Sequence, residues 1–231
     1  MGHTNTSMIK PFTNIPLITS QFPSPEELLL SLTNAPRAVR EIVARLWLTE
    51  GLPSAFLRSP AIYEDLRGWL GSRLDVHPKE ITLIGSARIG YSLAPPPDFG
   101  RPFHSGSDLD LSIVSDNLFQ RVTSEFTNFS SEVQSGVVVP RTPRERILWG
   151  ENIAFGVRNI PKGFFDPNKL PNFSRYHVAQ QISQSMWALM RRLEVTDGAP
   201  EVSRASIRVY RDWKSFVDRV SFNLLAALNP A

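Results

Sequence analysis

Residues 81–114 read ITLIGSARIGYSLAPPPDFGRPFHSGSDLDLSIV. Ile81, Thr82, Leu83 and Ile84 form a short apolar strand that breaks at Gly85-Ser86, with Arg88 and Gly90 close behind. A second apolar strand, entered through Ser107, covers residues 108–114. Alternate residues of a strand share a face. Leu109, Leu111 and Ile113 are therefore predicted to enter a core, with Asp108, Asp110 and Ser112 on the other side.

Two carboxylates this close repel unless a cation compensates them. Mg²⁺, or Mn²⁺ in its place, takes hard oxygen ligands and is commonly held by one or two carboxylates plus substrate phosphates. Glycine at position 85 lets main chain approach a phosphate closely. A helix predicted over residues 87–93 offers free N–H groups there. Ser86 adds a hydroxyl donor, and Arg88 is a candidate for bidentate phosphate binding. An Asp-x-Asp pair or a Gly-Ser turn is common on its own. Here each ends an apolar strand, and a single connection joins them.

Working outward, residues 1–24 are rich in Thr, Ser, Asn and Pro and read as an extended arm. Ser24-Pro25-Glu26-Glu27 is a helix start. Further helices are expected from Pro36 and from Pro60, with a turn near residues 53–57. After the second strand a helix is expected over residues 117–129, with Ser115-Asp116 at its start. Val137-Val138-Val139 reads as a short strand or extended edge. Residues 141–175 contain Gly150, Gly156, Pro161, Gly163, Pro167 and Pro171, which predict short pieces. A long helix follows over residues 176–193, then an alternating strand over 206–210 and a closing helix over 213–228. The fold class is α+β: a small mixed sheet flanked by helices. Residues 25–231 are read as one domain, with a helical preface (25–75), a Gly-Ser/Asp-x-Asp core (80–130) and a helix-rich remainder (141–231).

Composition narrows the function classes. The chain has 231 residues, a formal net charge of +3 and no cysteine. Disulfides, a thiol nucleophile and Cys-ligated zinc are thereby excluded. The four histidines fall in no metal-ligand spacing, and no dense Lys/Arg block marks a nucleic-acid stripe. No apolar run reaches the roughly 18 residues of a membrane span, and the start lacks the pattern of a signal peptide. The expectation is a cytoplasmic protein with no membrane partner. A Gly-x-x-x-x-Gly-Lys-Ser/Thr loop is also absent.

The stretch 81–114 resembles the signature of the DNA polymerase β-type nucleotidyltransferase superfamily: apolar strand, Gly-Ser, a variable stretch, then Asp-apolar-Asp. The resemblance implies that Gly85 and Ser86, helped by Arg88 and Ser107, hold nucleotide phosphates, and that Asp108 and Asp110 bind the metals. Residues 163–171 and the run Arg208-Val209-Tyr210-Arg211-Asp212-Trp213 more faintly resemble bacterial members.

Two features depart from the family pattern. Residues 87–107 make a longer gap than usual, and residues 94–106 read as an inserted lid or loop. Its Arg101 and His104 are either phosphate contacts or, more simply, solvated. The family also places a third carboxylate on a later strand. Asp212 is the best candidate, with helix capping as its alternative role; Glu151 and Asp166 rank below it. Lys162, Lys169 and Arg175 can contact anions but read equally as solvated.

The resemblance implies a metal-dependent nucleotidyltransferase. It would move a nucleoside monophosphate from ATP or another nucleoside triphosphate to RNA, a nucleotide, a protein side chain or a small molecule. The alternative is an inactive nucleotide sensor or partner subunit of a bacterial defence or toxin/antitoxin system. A nucleic-acid binder is the third possibility.

Overall fold

The two strands of residues 81–114 are neighbours in a four-stranded mixed sheet. The computed structural model describes Phe12, Ile15 and residues 20–228; most of the expected arm lies outside the described residues. Strand β1 (Ile81–Ile84) pairs antiparallel with β2 (Asp108–Val114), placing Ile84 opposite Asp110. A two-residue strand, β3 (Phe164–Phe165), and β4 (Arg204–Tyr210) complete the sheet in the order β1-β2-β4-β3. β4 runs parallel to β2 along its whole length, with Arg204 beside Asp108 and Ser206 beside Asp110.

Alternation along the strands divides the apolar residues between two cores. Ile81, Leu83, Leu109, Leu111, Ile113, Ile207 and Val209 are buried on one face. They pack against the apolar stripes of α3 (Pro60–Leu74), α5 (Asp116–Gln134) and α7 (His177–Glu194). On the other face Val114 and Tyr210 join Val43 and Trp47 of α2 (Arg37–Leu48). Phe216 and Val220 of α8 (Trp213–Leu228) complete that second core. It covers the face only toward the Val114 end. The Asp108 end stays open.

Several helix starts follow the sequence. Ser24 and Glu27 form a reciprocal capping box before α1 (Pro25–Leu32). The expected arm is tied down at its end, where Ser20 carbonyl accepts from Trp47 Nε1. Ser115 occupies the N-cap position of α5, yet its side chain makes no capping bond.

Three expectations are corrected. The helix after Gly85-Ser86 is a single turn, α4 (Ser86–Ile89), stopped by Gly90 at φ 93°. Residues 137–139 form no strand, and Val137 and Val139 are exposed. The expected fragments of 141–175 include a 17-residue helix, α6 (Pro143–Asn159). Its Gly156 is a contact surface rather than a break: a Cβ there would stand 2.2 Å from the Phe126 ring of α5. No helix among the described residues is long and apolar enough to cross a membrane.

Candidate functional site

Parallel pairing with matched alternation sets the polar residues of β2 and β4 side by side at the open end of the sheet. Arg204 Nε and Nη2 donate to Asp108 Oδ2 at 2.8 and 2.5 Å. Ser203 Oγ donates to Asp108 Oδ1 at 2.8 Å. Ser206 Oγ donates to Asp110 Oδ1 at 2.7 Å. The Arg204 bonds, reinforced by Ser203, hold the Asp108 carboxyl below its usual range, and Asp108 raises the Arg204 guanidinium in turn.

Gly85 meets this pair from β1. At φ 69° and ψ −153° it adopts a conformation other residues reach only with strain. A Cβ there would lie 3.5 Å from Asp110 Oδ2. The turn therefore sits directly over the second aspartate. The N–H groups of Ser86 and Ala87, first in their helical turn, have no intrahelical acceptor.

Gly85, Ser86, Asp108, Asp110 and Ser206 line a cleft of about 590 Å³, with Arg204 attached to it through Asp108. Asp166, Asn168 and Arg208 close it on the β3 side. Arg208 Nη2 donates to Asp166 Oδ2 at 2.8 Å, and its Nε contacts the other carboxylate oxygen. Burial works to lower the Arg208 guanidinium, and the bonds to Asp166 outweigh it, leaving it raised. The insert forms the opposite wall through Ala94, Pro95, Arg101 and Pro102. It is anchored by Phe103 N–H donating to Gly90 carbonyl and Ser92 N–H to Arg101 carbonyl, both at 2.8 Å.

The structure brings Gly85, Ser86, Ser107, Asp108 and Asp110 together, and separates Arg88 and Asp212 from them. Arg88 is completely buried. Its Nε donates to Trp47 carbonyl at 3.1 Å and its Nη1 to Gly51 carbonyl at 2.6 Å. Burial lowers its pKa. The arginine thus fastens α4 to the end of α2 and is not a phosphate ligand, because the one-turn helix points it inward.

Asp212 lies beyond the other end of β4. Its Oδ1 accepts from Ser215 N–H at 2.7 Å at the start of α8, and that bond leads the lowering of its pKa. Residues 206–212 span roughly 20 Å if extended, so Asp212 cannot complete a ligand set with Asp110. Ser107 lines the cleft while its Oγ accepts from His104 N–H at 3.1 Å. His104 Nδ1 accepts from Gly106 N–H at 3.0 Å, within its own turn. Arg101 faces the cleft and pairs with Asp98 at 2.9 Å.

Away from the cleft, Lys169 lies over the Phe155 ring and Arg175 pairs with Glu132. Glu151 is exposed on α6. Asp166, ranked low from sequence, is the remaining carboxylate of the cleft. The run Phe164-Phe165-Asp166 was its signal, but two residues are too few to show a strand period. Arg204 and Ser206 escaped sequence reading too, although their alternation with Ala205 and Ile207 continued the pattern.

The acidic groups of the cleft are Asp108 and Asp110 on β2 and Asp166 on the β3 side, the last paired with Arg208. At the register positions beside Asp108 and Asp110, β4 presents a guanidinium and a hydroxyl. Among the described residues no group of three or more His, Asp or Glu side chains converges on a point. No protein-family model matches this chain, and no curated protein and no solved structure was found to be similar to it.

Proposed function

We propose that the cleft binds a nucleoside triphosphate and that the protein is a nucleotide sensor or partner subunit built on a nucleotidyltransferase-type sheet, without nucleotidyl transfer. The observation that carries this reading is the pairing of Asp108 with Arg204 and of Asp110 with Ser206. The Gly85-Ser86 turn and the open end of the sheet suit phosphates. Arg204, largely exposed, can turn from Asp108 to an arriving phosphate. A Mg²⁺ ion carried in by the nucleotide would be held through Asp110 and would supply positive charge between carboxylate and phosphate.

Transfer needs more than this. In-line displacement by two metals requires carboxylates enough to fix both ions, and β4 offers donors instead. The test is pyrophosphate release from each of the four nucleoside triphosphates, with Mg²⁺ or Mn²⁺. The wild type is expected to release no more than the Asp108→Ala, Asp110→Ala double variant. Release by the wild type that the double variant abolishes would make the protein a nucleotidyltransferase.

A further inference from the structure

β4 has a free edge. β2 pairs with all of Arg204–Tyr210, whereas β3 pairs only with Val209 and Tyr210. Arg211 N–H donates to Gly163 carbonyl on the β3 side, and Tyr210 carbonyl accepts from Ser115 on the β2 side. By strand alternation, the main-chain groups of Val209, Ile207 and Ala205 all point toward the β3 side. Val209 meets Phe165 there. Continuing that register would set Pro167 opposite Ile207, and proline has no N–H to give. The chain instead turns away through a short 3₁₀ turn, Pro167–Lys169. No main-chain bond joins Ala205 or Ile207 to this turn among the described residues.

The space left is a pocket of about 260 Å³. Leu170, Ile182 and Met186 give it apolar lining, and Asn168 and Asn172 add amide groups. Ser206, Ile207 and Asn168 line both this pocket and the Asp108–Asp110 cleft, so the two cavities adjoin. β1, which carries the Gly85-Ser86 turn, lies two strand spacings from β4, roughly 10 Å. A nucleoside triphosphate covers that span.

We infer that this pocket is the base subsite: a nucleobase enters it flat against Ile182 and Met186, with its polar edge on Ala205 carbonyl and Ile207 N–H. The inference rests on the reading of the cleft as the phosphate site. Every nucleobase carries a donor and an acceptor side by side, the complement of a strand edge. An extended peptide would need a longer free edge than the 166–172 segment leaves. The polar groups of the edge lie beside the buried Leu170, Ile182 and Met186, where a matched partner counts for more than in water.

Titration calorimetry on the full chain tests it, using ATP, GTP, CTP and UTP with Mg²⁺ and tripolyphosphate as the base-free probe. Ser183→Trp and Asn172→Trp both alter exposed rim positions, and melting curves check that each variant folds. At least one nucleotide is expected to bind the wild type about tenfold more tightly than tripolyphosphate. Both variants should bring that nucleotide down to the tripolyphosphate affinity and leave tripolyphosphate binding unchanged. Nucleotide affinity equal to that of tripolyphosphate in the wild type, or unaltered in both variants, overturns the base subsite alone. A wild type that binds neither nucleotide nor tripolyphosphate overturns the phosphate cleft and the subsite with it.

Discussion

Asp108 is a carboxylate already supplied with a cation, and that cation is Arg204. The pair is half open to water, so its strength is that of an exposed ion pair rather than a buried one. Arg204→Ala should therefore improve Mn²⁺ binding, measured by electron paramagnetic resonance, by about two- to fivefold. Equal Mn²⁺ binding in both proteins would show that Arg204 does not guard the carboxylate. The depressed pKa of Asp108 gives the same pair a pH signature. A group whose pKa falls on folding stabilises the fold above its unfolded value, about 4, and loses that contribution as pH drops through the folded value. The Tm difference between wild type and Asp108→Asn should be constant from neutral pH down to about 5 and close below about 4. A gap that widens in acid would reverse the sign. Arg88 belongs to stability instead. Arg88→Ala leaves the Trp47 and Gly51 carbonyls without their donor and empties a fully buried site. It should cost about 2–4 kcal/mol in denaturant melts, while nucleotide affinity of the folded protein stays unchanged.

At the scale of elements, glycine has two meanings in this chain. Gly85 and Gly90 mark turns, as positive φ requires. Gly156 marks contact, letting α6 lie against the Phe126 ring of α5. Gly156→Ala pushes a methyl into that ring and should lower stability by about 1–3 kcal/mol, seen as a lower Tm; an unchanged Tm would mean the ring yields freely. These two roles explain why α6 was illegible in sequence. Turn and contact glycines look alike until the facing side chain is known, and Gly150 and Gly156 amid several prolines read as punctuation. β1, β2, α5, α7 and α8 were legible because each keeps one period long enough to see. β3 was not: two phenylalanines have no period, and only pairing with β4 defines them.

At the scale of the molecule, the helices cover one face of the sheet more fully than the other, and the site is the part left over. Residues 81–114 disclosed three of its components: the turn, the aspartates and the insert that walls the cleft. The fourth, the polar face of β4, was beyond reach. It depends on which strand lies beside β2 and in what register, a long-range fact that places Arg204 and Ser206, not Asp212, at Asp108 and Asp110. Loop closure across almost a hundred residues sets that register, and no local signal encodes it. The most direct measurement is equilibrium dialysis of the protein against α-³²P-labelled ATP, GTP, CTP or UTP with Mg²⁺, followed by chromatography of the retained label. The expected result is saturable retention of intact triphosphate. Label recovered as a transferred monophosphate, or no retention of any of the four, would contradict a cleft that binds nucleotide without turning it over.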